Sequence, residues 1–164
     1  MEYQIRQAKM NDLDEILQLC AEHAAYEKAD YSIEGKSINL SRLLFGPQAP
    51  LHCLIVKQGE LTLGYATYSF EASTWDAALY MHMDCLFLRA PYRSLGIGEK
   101  LVAIMAKEAQ QKQCNIMQWQ TPIFNERAIK FYHRIGATSK EKLRLYLDTE
   151  SMKNLIMANN KNTF

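Results

Sequence analysis

Between Asp84 and Lys112 the chain reads DCLFLRAPYRSLGIGEKLVAIMAKEAQQK, and few folds accommodate such a stretch. The apolar run Leu86-Phe87-Leu88 predicts a strand, broken at Ala90-Pro91. Tyr92, Arg93 and the turn Gly96-Ile97-Gly98 follow, and a helix begins directly after them. Leu101, Val102, Met105, Ala106 and Ala109 mark its apolar stripe. Glycines let a backbone approach a ligand without Cβ atoms in the way. The first N–H groups of the helix have no partner inside it and sit at the positive end of its dipole. Strand, glycine turn and helix start together suit a pyrophosphate, with Arg93 as a charged donor beside them. The same residues would also serve as a tight strand-to-helix connection.

The type of turn is narrowed by spacing. A P-loop needs a longer spacing and a Lys followed by Ser or Thr, which Gly96 to Lys100 does not supply. A dinucleotide fingerprint needs a third glycine where Leu101 stands. What remains is Arg-x-x-Gly-x-Gly, from Arg93 to Gly98.

The 164 residues suit a single domain, expected to span residues 1–164. A net charge of +1 argues against nucleic acid as the main partner. Cys20, Cys53, Cys85 and Cys114 contain no Cys-x-x-Cys, so neither a zinc site nor a redox pair is expected. His23, His52, His82 and His133 lack metal-ligand spacing. No long apolar run predicts a signal peptide or a membrane span, and the cytoplasm is the expected compartment.

Along the chain, Tyr3 to Ala8 alternates as a strand, and Asn11 or Asp12 is placed to cap a helix with Leu13, Ile16, Leu17, Cys20 and Ala24 on one face. Ser37 to Phe45 predicts a second helix, ended by Gly46 as a left-handed cap. His52 to Lys57 and Leu61 to Phe70 read as a hairpin, and Glu71 to Ala78 as a loop. Leu79 to Leu88 is the strand that feeds the glycine turn. Ile116 to Thr121 predicts a strand, Asn125 to Gly136 a capped helix, and Leu143 to Leu147 a last strand. Met152 to Met157 predicts an amphipathic turn or two, and Asn159 to Phe164 a frayed tail. The order implies an α/β fold with a mixed sheet.

Two stretches carry a resemblance. Arg93 to Gly98 resembles the acyl-CoA-binding motif of the GNAT acetyltransferases. Asn125-Glu126-x-Ala128-Ile129-x-Phe131-Tyr132-x-x-Ile135-Gly136-Ala137 resembles the second signature of that family, in the same order. Ile5-Arg6-x-Ala8, Tyr26-Glu27 and Tyr92 to Gly98 are similar to the diamine (spermidine/spermine) subgroup. The resemblance implies a mostly antiparallel sheet with helices on both faces, acetyl-CoA as co-substrate, no metal, and a small amine as acceptor. It also implies a homodimer in which Leu143 to Leu147 helps to build the partner's site.

Acetylating an amine sets a short list of requirements. An alkylamine, with a pKa of about 10.4 like Lys, must lose a proton before it attacks. The departing thiolate, at about 8.5 by analogy with Cys, benefits from an acid. By resemblance Tyr132 is that acid. Asp84, a carboxylate in an apolar strand where the subgroup carries a glutamate, is the base or holds a water. Leu86, Phe87 and Leu88 would offer main-chain contacts to the pantetheine arm, in a slot where the strand splays from its neighbour. Arg93, Ser94, Leu95, Gly96, Ile97, Gly98 and Asn125 complete the cofactor set. Tyr26, Glu27, Trp75, Asp84, Cys85 and Glu141 are the substrate-side candidates, an aromatic wall with carboxylates for a cation. His82 could join a proton relay with Asp84.

There are departures from the subgroup. Cys85 stands where it carries an aspartate, Leu143 where it carries a tryptophan, and Ser73 at another acidic position. A long polycation loses partners at each. Three readings follow: a diamine or polyamine acetyltransferase, a related enzyme for another small amine or a thialysine-like amino acid, and a noncatalytic acyl-CoA-binding module.

Overall fold

The computed structural model describes residues 2–160. The chain divides into two compact units, one up to Phe131 and one from Tyr132 onward. The first unit is built on a five-stranded sheet in chain order: β1 (Gln4–Gln7), β2 (His52–Gln58), β3 (Leu61–Ser73), β4 (Ala78–Leu88) and β5 (Met117–Gln118). The first three pairings are antiparallel and β4–β5 is parallel. The expected mixed, mostly antiparallel sheet is therefore what forms.

Alternation along the strands sorts side chains onto two faces. Ile55, Tyr65 and Phe87 pair across β2, β3 and β4. That row packs with Ile16 and Leu19 of α1 (Leu13–Tyr26) and Leu44 of α2 (Lys36–Phe45). Burying each such side chain contributes about 1.5–3 kcal/mol. Leu19 is fully buried although the sequence stripe omitted it. α3 (Ile97–Gln111) lies on the other face, where Glu108 accepts hydrogen bonds from Tyr68 and Gln7. Its buried residues Ile97, Leu101, Met105 and Ala109 recur every fourth position.

Asp12 precedes α1 but makes no side-chain cap. Its carboxylate instead accepts both Nη groups of Arg6 on β1, at 2.8 and 2.9 Å, and the Lys9 N–H at 2.7 Å. The hydrogen bonds from Arg6 hold the Asp12 carboxyl below its ordinary pKa. A depressed carboxyl pKa contributes stability that is fully present above the unfolded value, about 3.9. That stability is lost as pH falls through the lower folded value. Asp12→Asn should thus unfold at lower urea than the parent at pH 7, and the gap should close in acid. A gap of equal size at both pH values would remove this pair as its cause.

Several expectations are corrected. Gly46 is extended, with φ −67° and ψ 166°, and is not a left-handed cap. A Cβ there would stand 2.6 Å from the Arg42 carbonyl oxygen, so close approach is what calls for glycine. The 71–78 loop shrinks to residues 74–77, because β3 and β4 stay paired from Ala72↔Leu79 to Ser73↔Ala78. The strand expected over Ile116 to Thr121 is only Met117–Gln118, since only these two residues pair in register with β4.

α4 (Glu126–Arg134) begins at Asn125, whose Oδ1 accepts the Ala128 N–H at 3.3 Å. Gly136 after it has φ +96°, a value that favours glycine. In the second unit Leu143 to Leu147 forms no strand, and Leu143 is 91% exposed. Alternation marks faces, but a strand also needs a partner edge. α5 (Thr149–Asn160) is a full helix rather than a turn or two. The remainder of the expected frayed tail, 161–164, lies outside the described residues.

Candidate functional site

The site begins at a fault in the sheet. On β3 and β4, Thr67 pairs with Cys85 and Tyr68 with Met83, so Asp84 has no opposite residue. It is the extra residue of a β-bulge, a feature over-represented beside active sites. Before the bulge, Met81 turns its N–H toward β5, to the Ile116 carbonyl at 3.0 Å. Past it, Arg89 turns its N–H to Leu63 on β3 at 2.9 Å. A residue's N–H and C=O face the same way, alternating along the strand. Leu86 and Leu88 therefore present their main chain on the edge away from β3, and Phe87 presents its main chain to β3. β5 pairs with β4 only at Met81 and His82, so that edge is unpaired from Met83 onward among the described residues. Leu86 and Leu88 thus have main-chain groups on an open edge, and Phe87 is directed the other way.

The strand leads into a 3-10 turn, Ala90–Tyr92, and then into the glycine turn. Ser94 at φ +61° and Gly96 at φ +78° are both left-handed. The Gly96 carbonyl accepts the Lys100 N–H at 3.1 Å, closing the first turn of α3. No side chain caps this helix. A Cβ on Gly96 would meet nothing within 4 Å, so the space beside the turn is open. An uncapped helix start beside open space fits an anion such as a pyrophosphate. Leu95 is 53% exposed at the same turn.

Arg93 is held in place. Its Nε donates to the Leu88 carbonyl at 2.6 Å, and its guanidinium lies 4.3 Å from the Tyr26 ring centre. A second guanidinium reaches the turn from α4, with Arg127 Nη2 donating to Ser94 Oγ at 3.0 Å. Sequence reasoning missed Arg127, because nothing local signals a bond across thirty-three residues.

Asp84 is exposed on its bulge. Its charge acts on His23, Cys20 and Cys85, which places these groups around it. His23 was also missed. It stacks on Phe87 at 5.1 Å, meets the Tyr65 hydroxyl at 3.2 Å through Nδ1, and faces Glu27 at 3.4 Å through Nε2. Burial pushes the His23 pKa below its ordinary value, against the raising effect of Glu27, so the ring is neutral at pH 7. With Glu27 accepting from Nε2–H, Nδ1 accepts from Tyr65. Burial, then Asp84, pushes the Cys85 thiol up to about 12, so it stays protonated.

The remaining candidates are dispersed. His82 pairs with Ser69, next to Glu71 and ahead of the bulge at Asp84. Trp75 is 99% exposed in the 74–77 loop and forms no wall. The Ser73 hydroxyl is bonded to Asp76 at 2.6 Å. Asn125 caps α4 and accepts the Tyr26 hydroxyl at 3.2 Å. In the second unit, Tyr132 is buried on α4 and Glu141 is exposed. Among the described residues no group of three His, Cys, Asp or Glu side chains could hold a metal ion, and no helix is long and apolar enough to cross a membrane.

Comparison with known proteins follows the same lines. The pattern of the Acetyltransferase (GNAT) family matches residues 10–137. Human spermidine/spermine N(1)-acetyltransferase-like protein 1 is 32% identical over 142 residues, 82% of this chain but only 20% of that protein. Thialysine N-epsilon-acetyltransferase of Bos taurus is 31% identical over 141 residues, 81% of this chain and 82% of that one. Among solved structures, an aminoglycoside N-acetyltransferase in complex with CoA superposes with a TM-score of 0.74. It covers 90% of this chain and 95% of that one at 16% identity, a likeness of fold.

Proposed function

The chain belongs to the GNAT acetyltransferase family, and from that premise we propose that it moves an acetyl group from acetyl-CoA to a primary amine of a small polyamine- or diamine-like cation. The reaction would be direct attack in a ternary complex. One observation carries the reading: the unpaired edge of β4 runs from a carboxylate at the bulge to the uncapped start of α3. A donor with a long arm and a pyrophosphate would lie along that edge, ending beside Asp84.

In this reading Leu86 offers its main chain and Leu88 its N–H to the arm, the Leu88 carbonyl being held by Arg93. The backbone from Ser94 to Gly98 and the charges of Arg93 and Arg127 receive the phosphates. Bound acetyl-CoA supplies a thioester carbonyl. Asp84 and Glu27 attract the cationic acceptor. Asp84, short and exposed on its bulge, takes the amine proton through a water. Tyr132 donates a proton to the departing sulfur, an assignment that rests on its match to the family signature. The chain would work as one domain, as a cytoplasmic homodimer, without a metal.

A second reading has its own support. Cys85 is a protonated thiol and Trp75 stands free in a loop, so a long polycation finds fewer partners here. A compact acceptor such as thialysine needs only the two carboxylates. Thiol release from acetyl-CoA should be followed with spermidine, spermine, putrescine, lysine, thialysine and a lysine-containing peptide. We expect release with at least one di- or polyamine. Release with thialysine alone would move the substrate to the second reading. CoA binding without release on any acceptor would leave a noncatalytic module.

A further inference from the structure

The Tyr26 ring was expected to receive a substrate cation, but the protein places its own cation there. We propose that Tyr26 is a positioning residue for the acyl donor, setting Arg93 at the phosphate turn. The inference rests on the CoA-binding role proposed for that turn.

Three contacts converge on this side chain. Tyr26 is the last residue of α1, and the Arg93 guanidinium stacks over it at 4.3 Å. Phe87 stands 6.2 Å from Tyr26 and 5.3 Å from Arg93, so the cation meets two aromatic rings. Arg93 Nε is tied to the Leu88 carbonyl at 2.6 Å. That hold does not consume the two Nη groups which a bidentate phosphate contact uses. The Tyr26 hydroxyl donates to Asn125 Oδ1 at 3.2 Å, the oxygen that also accepts the Ala128 N–H of α4. One side chain thus joins the end of α1, the turn after β4 and the start of α4. A guanidinium left free would sample many rotamers and pay ordering entropy on binding an anion. Stacked on Tyr26, it has paid that cost in advance. The covered face of Tyr26 is also closed to a substrate cation, which leaves Glu27 and Asp84 to recognise it.

The test is calorimetric titration with CoA alone, which requires no amine. Tyr26→Leu keeps apolar bulk but removes the π face, and should weaken CoA binding about five- to tenfold, the size of a cation–π contact. Tyr26→Phe keeps the ring and should bind within about twofold of the parent, by the same contact. In a double-mutant cycle, Tyr26→Leu combined with Arg93→Ala should bind CoA no more weakly than Arg93→Ala alone. Additive losses would overturn the proposal, as would an unchanged CoA affinity with a raised KM for the amine. Failure of the parent itself to bind CoA would remove the functional reading, whereas failure of the cycle removes only the role of Tyr26.

Discussion

Tyr132→Phe is expected to lower kcat by about 10²–10⁴-fold, the usual contribution of a positioned general acid. The change removes one oxygen and keeps the ring, so the buried packing of Tyr132 on α4 is preserved. A proton given to a leaving sulfur acts only in the transition state. KM for both substrates should therefore stay near the parent values while kcat and kcat/KM fall together. Thermal melting of the two proteins separates chemistry from folding. A kcat within about threefold of the parent, with unchanged melting, would remove Tyr132 as the acid, because a general acid contributes far more.

Gly64→Ala should give the largest loss of stability. A Cβ at Gly64 would lie 2.3 Å from the Phe87 carbonyl oxygen, 2.6 Å from Leu88 Cδ2 and 2.9 Å from Leu88 Cα. Gly64 pairs with Val56 on one side and Leu88 on the other. Two of the three obstructing atoms are backbone, so no rotamer change relieves the clash. β3 and β4 must separate, at about 3 kcal/mol, the upper range for overpacking. With a urea slope of about 2 kcal/mol/M, the midpoint should fall by about 1.5 M. Because Leu88 ends the unpaired edge, CoA binding should weaken in whatever remains folded. An unchanged urea midpoint would show that the strands yield at no cost.

What could be read from the sequence was whatever depends on neighbours in the chain. The apolar stripe of α3, the hairpin of β2 and β3, and the Asn125 cap all come from local spacing, and all are present. Features set by distant residues were not legible. Arg93 was expected to face a ligand alone, but its posture is decided by Tyr26, sixty-seven positions earlier. The alternation of Leu143 to Leu147 describes two faces and says nothing of an edge to pair with. His23 occupies a helix position that composition treats as polar surface, yet it is half-buried among Phe87, Tyr65 and Glu27. Asp84 drew attention as a charge in an apolar strand, whereas its status as an unpaired extra residue depends on the register with β3.

That unpaired residue divides β4 into two reading frames. Ahead of it odd-numbered residues speak to β5, and behind it even-numbered ones face the open edge. Deleting Asp84 would merge the frames. Cys85 would then follow Met83 in regular alternation, with Phe87 still facing β3 and Leu86 and Leu88 still facing the groove, and only the fault in the sheet would be gone. Losing one residue between Met83 and Cys85 would thus remove the bulge and its carboxylate together, while side-chain substitutions there would leave the bulge in place. The place of the carboxylate is encoded by a count of residues as much as by their identity.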